Sequence, residues 1–323
     1  MLMLRIFSLL FVLMPMVTYG QSWFQHQDNV MGTQVSITLF TQSQDKADYL
    51  FKLAMDEFHR IDRMMSPYKT SSEVSKVNQL AQKTEVEIPS DLFKVIQRSL
   101  HFSQLTNGAF DITFASAGFQ YDYRERKRPN AAELTQAVKA IDYRNIQLDT
   151  EKKHIRLKGA DTVIDLGGIA KGYAVDQVAH LLVQEGISSG LVTAGGDTRV
   201  IGTKQGQAWL VGIKHPRGEG HVITMPLAEV SISTSGDYER FFIEDGVRYH
   251  HILNPKTGSS VGELISVSII ADDSLTADAL STSVFVMGME AGIELIESLP
   301  GISCVLIDRT GKVHYSSDLM GHN

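Results

Sequence analysis

Apolar and polar positions change period several times along the chain, and each change predicts a new element. Alternation over residues 30–40 predicts a strand. After a capping sequence at 41–44, apolar residues recur at helical spacing until the proline of Ser66-Pro67-Tyr68 ends the helix. A second helix is predicted from Ser90 to the stop at Asn107-Gly108. The N-terminal third is therefore predicted to be one strand followed by two helices.

The rest of the chain mixes short strands with helices. The predicted elements are a strand at 109–113, a capped helix from Asn130 to Ile141, a hairpin at 146–157, a strand at 162–164 leading into a helix, strands at 191–194, 209–213 and 265–271, a helix from Leu275 to Gly288, and a hairpin at 302–315. Because these elements do not alternate regularly, an α+β fold of mixed or antiparallel sheets with packed helices is favoured over a doubly wound sheet. Without a repeat or a long linker, residues 21–323 are predicted to form a single domain.

The first twenty residues have the pattern of a secretory signal peptide. Arg5 precedes an apolar stretch from Ile6 to Val17, and the small residue Gly20 stands before polar Gln21. The apolar stretch is short for a transmembrane span, although an uncleaved membrane anchor is the alternative. The lone cysteine, Cys304, excludes a disulfide framework, so a bacterial periplasm is the expected compartment.

Charge limits the possible partners. The chain carries a formal net charge of −7 and has no basic tract, which gives no reason to expect nucleic acid or an anionic membrane surface as a partner. An anionic ligand would therefore need a metal ion or local donors.

The sequence DLGGIAKGYAVD at residues 165–176 is the most informative segment. It lies between an apolar run and an amphipathic run, which predicts a strand, a glycine turn and a helix. Gly167 and Gly168 let the backbone turn tightly or approach a ligand, and the helix start directs unpaired N–H groups to the same place. Asp165 and Lys171 add an acceptor and a positive charge, as expected around a metal-bound pyrophosphate. A purely structural turn with an exposed lysine is the alternative.

Two polar groups in the C-terminal half are further candidates. Asp278 and Thr282 are four residues apart on a predicted helix, so both project from one face and could share one hard cation such as Mg²⁺. His250 and His251 are adjacent on a predicted strand and should point to opposite faces, so at most one enters a site. Asp237 could simply be the acid of a turn.

Other motif matches are rejected. The string at 186–190 fits the nucleophile elbow of serine hydrolases, but a helix precedes it and a strand follows, the reverse of the required order. Strings at 43–46 and 256–258 fit two boxes of the penicillin-recognising enzymes, but the third box is missing. The chain also lacks the glycine patterns of Rossmann and P-loop nucleotide sites.

Taken together, eight ordered motifs resemble the ApbE-type FAD:protein FMN transferases over essentially all of residues 21–323. They are MGT at 31–33, SPY at 66–68, GAFDIT at 108–113, DLGGIAKGYAVD at 165–176, AGGD at 194–197, STSGDYER at 233–240, HHILNPKTG at 250–258 and TADALST at 276–282. The resemblance implies an exported, Mg²⁺-dependent transferase that cleaves FAD, joins FMN through a phosphoester to a Thr or Ser of a target protein, and releases AMP.

The resemblance also implies roles for individual residues. The metal would be held by the Gly168 carbonyl, Asp278 and Thr282. FAD would contact Met31, Ser66, Pro67, Tyr68, Asp111, Asp165, Lys171 and Ile252. Many members of the family are lipoproteins with a cysteine after the signal peptide, whereas this chain has Gln21, which argues against a lipid anchor.

The resemblance leaves the general base and the acceptor open. We nominate His251 with Asp237 as its partner, and His250, Asp237 alone or a metal-bound water are the alternatives. Should water replace the protein acceptor, the enzyme would be an FAD pyrophosphatase. A periplasmic flavin-binding protein without catalysis is the third hypothesis.

Overall fold

The computed structural model describes residues 21–320, so the predicted signal peptide at 1–20 lies outside the described part. The strands are β1 (Ser22–Val30), β2 (Thr33–Thr41), β3 (Val86–Glu87), β4 (Ile146–Asp149), β5 (His154–Leu157), β6 (Gly190–Ala194), β7 (Asp197–Ile201), β8 (Trp209–Lys214), β9 (His221–Leu227), β10 (Ser231–Gly236), β11 (Phe241–Glu244), β12 (Val247–His250), β13 (Leu264–Ala271), β14 (Ser303–Asp308) and β15 (Val313–Tyr315). The α-helices are α1 (Gln44–Met65), α2 (Glu73–Leu80), α3 (Ser90–Leu105), α4 (Ala115–Gly118), α5 (Ala131–Val138), α6 (Ala170–Gln184), α7 (Ser274–Met287) and α8 (Met289–Glu297). Within residues 21–320, no helix is both long and apolar enough to cross a membrane.

Eight strands form one sheet in the order β1-β2-β6-β7-β10-β13-β14-β15. Each strand pairs antiparallel with its neighbour. Three smaller sheets, β3-β5-β4, β8-β9 and β11-β12, lie beside it and are also antiparallel. The α+β prediction is therefore confirmed.

The large sheet is covered on both faces. Helices α1, α6 and α7 pack on one face, where the alternate residues Val35, Ile37 and Leu39 of β2 are fully buried. On the other face the β8–β9 hairpin contributes Trp209 and Ile213 to a second, smaller apolar cluster. Since both of its faces are covered, β13 is buried along its whole length and reads in sequence as a continuous apolar strand.

Several predicted boundaries are confirmed. The first long helix ends at Met65, before the proline, and the second ends at Leu105, just before the Asn107-Gly108 stop. The side chains of Asn130 and Glu133 form the predicted capping box of α5, which ends at Val138 rather than at Ile141. The hairpins at 146–157 and 302–315 and the strand at 265–271 are also present.

Two predicted strands are wrong. Residues 109–113 instead lead into a single 3₁₀ turn, because the Asp111 carboxylate accepts the N–H of Thr113 and caps that turn. Residues 162–164 have no regular secondary structure and join no sheet. The side chain of Asn78 bonds both the N–H and the C=O of Ile164, so an α2 amide takes the place of a neighbouring strand.

Two other elements lack a clear sequence pattern. Strand β1 was not predicted because its mostly exposed side chains show no regular alternation. It pairs with β2 through a two-residue turn in which both Met31 (φ 56°) and Gly32 (φ 71°) are left-handed. The short helix α2 was also missed.

Helices α6 and α7 are packed so closely that only glycine fits at position 172. A Cβ on Gly172 would lie 2.3 Å from the backbone oxygen of Ser274. We expect Gly172→Ala to lower the free energy of unfolding by about 1–3 kcal/mol, since the two helices must separate to admit the methyl group. Chemical denaturation would measure this loss.

Gly262→Ala is the matched control, because its new Cβ would meet only the end of the Arg309 side chain, at 3.4 Å. Equal stabilities for the two variants would contradict the close packing of α6 on α7.

Candidate active site

The glycine turn is held between two parts of the chain. The Asp165 N–H donates to the carbonyl of Ile112 (2.9 Å), and the Asp165 carboxylate accepts the N–H of Gly167 (2.8 Å). Neither Gly167 nor Gly168 has a left-handed backbone, so the turn itself does not require glycine. Glycine at 168 allows a close approach to α7, because a Cβ there would lie 3.2 Å from Thr282 Oγ1 and would displace that side chain slightly. The turn therefore packs directly against α7.

Helices α6 and α7 cap each other. The Asp278 carboxylate of α7 accepts the N–H of Gly172 in the first turn of α6 (3.0 Å). In return, the Asp176 carboxylate of α6 accepts the N–H groups of Ser274 (2.8 Å) and Leu275 (2.9 Å) in the first turn of α7. Negative charge is favourable at both helix starts. This reciprocal capping fixes the position of Asp278 relative to the glycine turn.

Lys171 lies between two buried carboxylates. Its Nζ is 2.7 Å from Asp197 Oδ2 and 3.4 Å from each oxygen of Asp278. Burial by itself would lower the pKa of Lys171, but the two carboxylates outweigh burial and leave that pKa raised. Burial and the charge of Asp197 raise the pKa of Asp278. Lys171 is therefore a fixed positive charge and not the exposed lysine of a structural turn.

A chain of hydroxyl groups joins Asp197 to Thr282. Ser233 hydrogen-bonds Asp197 and lies 3.3 Å from Ser281 Oγ. Ser281 in turn bonds Ser235 (2.9 Å), and Ser235 is 3.3 Å from Thr282 Oγ1. The neighbouring strand β10 thus orients the helix face that carries Asp278 and Thr282.

The predicted metal ligands fit a hard cation. The Gly168 backbone lies against Thr282 Oγ1, and Asp278 is one helical turn away on the same face. All three would supply oxygen, which Mg²⁺ prefers, and one carboxylate is enough when substrate phosphates and water complete the shell. Within residues 21–320 no cluster of three His, Cys, Asp or Glu side chains could hold a metal, so this site would depend on carbonyl and hydroxyl oxygen.

Several predicted FAD contacts lie around the glycine turn. We call the region bordered by Tyr68, Asp165, Lys171, Arg240 and His251 the cleft. Tyr68 is 75% exposed and lies edge-to-face on Phe119, with the ring centroids 6.4 Å apart. Asp165 lies near enough for its charge to act on the phenol of Tyr68. Ser66, the C-cap of α1, and Pro67 lead from that helix to this ring. An exposed aromatic side chain beside a carboxylate is suited to stacking on a planar ligand.

Met31 and Ile252 are linked to the cleft by Arg240, which bonds a residue adjacent to each of them. Met31 stands in the left-handed β1–β2 turn, where Arg240 Nη2 donates to the Gly32 carbonyl (3.5 Å). Ile252 is buried and follows His251, whose N–H donates to the Arg240 carbonyl (3.1 Å). Arg240, which the sequence-based assignment did not include, therefore connects both segments.

Asp111 has a structural role. Its buried carboxylate accepts bonds from the N–H of Thr113 (2.8 Å), the hydroxyl of Thr113 (2.6 Å) and the N–H of Tyr143 (2.9 Å). Burial raises the pKa of Asp111. These three donors hold the carboxylate in the turn that supports Asp165 and leave its Oδ2 with a single partner, the N–H of Tyr143.

The two histidines point to opposite sides, as predicted. His250 is buried, its Nε2 bonds the Val261 carbonyl (2.6 Å) and its Nδ1 accepts the N–H of Ile252 (3.3 Å). His251 Nδ1 is buried without a hydrogen-bond partner among the described residues. His251 is also near enough to Arg240 and Lys171 for both charges to act on its pKa. His251 is therefore the histidine of the cleft.

The proposed pairing of Asp237 with His251 is wrong. The Asp237 carboxylate forms a bidentate ion pair with Arg217 (2.7 and 2.5 Å), and Arg248 Nε is 3.7 Å from it. Asp237 acts on the pKa of His250 rather than on that of His251. A guanidinium pair offers the better partner to a carboxylate, and the sequence could not show that Arg217 would reach it.

The residues that sequence reasoning missed belong to motifs it had noted. Asp197 closes the AGGD motif, and Arg240 closes the STSGDYER motif. Neither motif indicates a partner for these two residues. Only the structure shows that Asp197 pairs with Lys171 and that Arg240 contacts the Gly32 turn.

Comparison with known proteins agrees with this geometry. The model of the ApbE family matches residues 31–306. This chain belongs to the ApbE family. Two relatives are named FAD:protein FMN transferase. The one from Haemophilus influenzae is 34% identical to this chain, and the one from Treponema pallidum is 31% identical. These matches cover 77% and 80% of this chain and 75% and 77% of the relatives.

Solved structures show the same fold. The ApbE protein of Thermotoga maritima superposes with a TM-score of 0.86 at 34% identity, covering 93% of this chain and 98% of that one. The flavin transferase ApbE of Vibrio cholerae gives a TM-score of 0.84 at 26% identity, covering 93% and 99%. The predictions of ApbE-family membership and of a transferase enzyme are therefore confirmed.

The environment of His251 predicts the pH dependence of this ApbE-family protein. Burial and the charge of Arg240 lower the pKa of His251 from the ordinary value of 6.5 to about 3. His251 is then neutral throughout the physiological range. The transfer rate should show no acidic limb near pH 6.5, which single-turnover rates across the pH range would test.

The same shift has a consequence for stability. Unfolding restores the ordinary pKa of His251, so the unfolded chain takes up a proton below about pH 6.5 that the folded protein refuses, and stability falls as the pH drops. His251→Gln should be less sensitive to acid in denaturant titrations. A transfer rate of the wild-type protein that falls below pH 6.5, with no such fall in His251→Gln, would contradict the lowered pKa.

The two histidines should also differ when each is replaced. We expect His251→Gln to reduce transfer by about 10²–10⁴-fold, the usual contribution of a general base, without changing FAD affinity. His250→Gln should lower the melting temperature, because it breaks the bond to the Val261 carbonyl, and should leave the transfer rate of the folded fraction near wild type. Measured rates, FAD titration and thermal melting separate these effects, and a reversed pattern would assign the base to His250.

Proposed function

We propose that this ApbE-family protein is an exported, Mg²⁺-dependent FAD:protein FMN transferase. It would attach FMN through a phosphoester to a Thr or Ser of a target protein and release AMP. The names of the relatives support flavin transfer, and the cleft around the glycine turn supports the chemistry. The substrate and partner are FAD and an exported protein with an acceptor hydroxyl.

One observation carries this proposal. A permanently charged lysine and a neutral histidine with a free ring nitrogen border the same cleft. Phosphoryl transfer needs both, because positive charge must neutralise the phosphate oxygens while a neutral base takes the proton of the attacking hydroxyl. A protein that only binds flavin has no use for the base.

The residues of the cleft would divide the work. Tyr68 would stack on a ring of FAD, and Lys171 would neutralise a pyrophosphate oxygen. His251 would take the proton from the acceptor hydroxyl as its oxygen attacks the phosphorus of the FMN half. The P–O bond to the AMP half then breaks, and AMP leaves with the bridging oxygen. Arg240 adds positive charge where negative charge develops.

Mg²⁺ fits the oxygen ligands at Gly168, Asp278 and Thr282 and, when bound, would neutralise charge on the pyrophosphate. Asp278 would keep its bond to the Gly172 N–H, so the carboxylate stays oriented by α6. Thr282 would present its hydroxyl from the same helix face, held by Ser235.

Location follows from the N-terminal sequence. The pattern of residues 1–20 supports export to the periplasm, and Gln21 after it argues against a lipid anchor. Fractionation of cells that produce the protein, together with N-terminal sequencing of the mature form, would test both points. A mature chain that retains residues 1–20 in the membrane fraction would favour the uncleaved anchor.

The activity has a direct test. The protein is incubated with FAD, Mg²⁺ and extracts of exported proteins, and the products are separated by denaturing electrophoresis. A flavin-fluorescent band with release of AMP supports FMN transfer. Free FMN and AMP without a labelled band would favour an FAD pyrophosphatase, and intact FAD would favour a flavin-binding protein without catalysis.

Asp278→Asn tests the proposed metal ligand. We expect transfer to fall by roughly a hundredfold or more, since the proposed carboxylate ligand of Mg²⁺ is lost, and with it the cation that would neutralise transition-state charge. The melting temperature should change little, because an amide oxygen can still accept the N–H of Gly172. Calorimetry should show that Mg²⁺ binding weakens as well.

Asp272→Asn is the matched control, since this exposed residue lies just before α7 and should alter neither property. If Asp278→Asn lowered the melting temperature sharply but bound Mg²⁺ normally, Asp278 would be structural and the metal assignment would fall.

A further inference from the structure

A second cavity lies outside the cleft. It has a volume of about 770 Å³ and opens between the β8–β9 hairpin, the β11–β12 hairpin and the ends of β13 and β14. None of the residues assigned to FAD or to the metal lines it. Cavities of a few hundred cubic ångströms or more are the usual size of sites for small organic molecules.

Among residues 21–320, three arginines line this cavity and a single carboxylate does so. Asp237 is shared by Arg217 (2.5 Å) and Arg248 (3.7 Å). Arg309 at the rim has no ion pair or hydrogen bond within residues 21–320, and its guanidinium lies against Gly262. The cavity therefore carries an excess of two positive charges in a chain whose net charge is −7.

The excess charge is concentrated where the two hairpins meet. Burial and the nearby charge of Arg217 lower the pKa of Arg248, and the charge of Asp237 offsets this only in part. Arg248 also lies over the ring of Phe241, with its Cζ 3.8 Å from the ring centroid, which restricts the positions of its guanidinium. An anion entering the cavity would meet preoriented guanidinium donors.

The cavity and the cleft are on opposite sides of one segment. His250 lines the cavity, whereas the next residue, His251, belongs to the cleft. A molecule in the cavity would therefore not occupy the position of FAD.

The cavity walls indicate the kind of molecule that fits. Between the arginines lie the apolar side chains of Val222, Leu264 and Ile307. We propose that this cavity is a second ligand site, which binds a small organic molecule with an apolar body and two negative charges, either a dicarboxylate or a phosphate ester. Such a molecule would supply the charge that Asp237 alone does not.

Calorimetric titration of the purified protein with phthalate and with phenyl phosphate tests this site. Saturable binding of phthalate alone assigns a dicarboxylate, binding of phenyl phosphate alone assigns a phosphate ester, and binding of both supports the shared class. The neutral dimethyl phthalate should not bind. Failure of both anions to bind, or equal binding of the neutral ester, would overturn the proposal.

Two variants locate the binding. Arg309→Gln should lower the affinity for the probe by about tenfold or more, the loss expected for a charge-assisted hydrogen bond. The matched control Arg124→Gln removes the same charge from an exposed position outside the cavity and should leave the affinity unchanged. Equal effects of the two variants would mean non-specific attraction and would overturn the site.

Competition with FAD separates the two sites. Saturating FAD should leave the affinity for the probe unchanged, since FAD is expected in the cleft. Displacement of the probe by FAD would place it in the cleft and would contradict a second site. This result does not depend on transfer activity, so it stands apart from the test of the proposed function.

Discussion

The site depends on the reciprocal capping of α6 and α7. Each helix begins with N–H groups that need acceptors, and each receives a carboxylate from the other, Asp278 in one direction and Asp176 in the other. Caps of this kind are typically worth about 1 kcal/mol each. Their larger effect is geometric, because both must be satisfied at once and only one relative position of the helices allows it. Gly172, at the point of closest approach, admits no side chain.

This arrangement explains how buried charges can be kept beside an apolar core. Lys171 and its two carboxylates are costly to remove from water, and burial is repaid only when each charge has well-placed partners. Asp197 receives a hydroxyl from Ser233, Asp278 receives an N–H from α6, and the ammonium group lies between them. A cluster held in this way is preorganised, so little reorganisation would be needed when a charged substrate enters.

The β11–β12 region separates two electrostatic environments. On one side, His251 is kept neutral by burial and by the positive charge of Arg240. On the other, His250 is fixed by its bond to the Val261 carbonyl beside the Arg217–Asp237 pair. Adjacent side chains of an extended segment point to opposite faces, so two successive histidines serve two different surfaces.

The sequence by itself determined features that depend on local spacing. Pro67 ended α1, Asn130 and Glu133 capped α5, and Asp278 and Thr282 shared a helix face because they are four residues apart. The tertiary structure decided which distant groups meet. Lys171 contacts Asp278, which is 107 residues away in sequence, and Asp237 pairs with Arg217 rather than with His251. Residues 109–113 have the composition of a strand, but a buried Asp111 holds them in a turn. Helical and strand periods depend on neighbouring residues, so the sequence shows them directly. Ion pairs and buried hydrogen bonds between distant residues depend on the order of strands in the sheet, and no local pattern predicts that order.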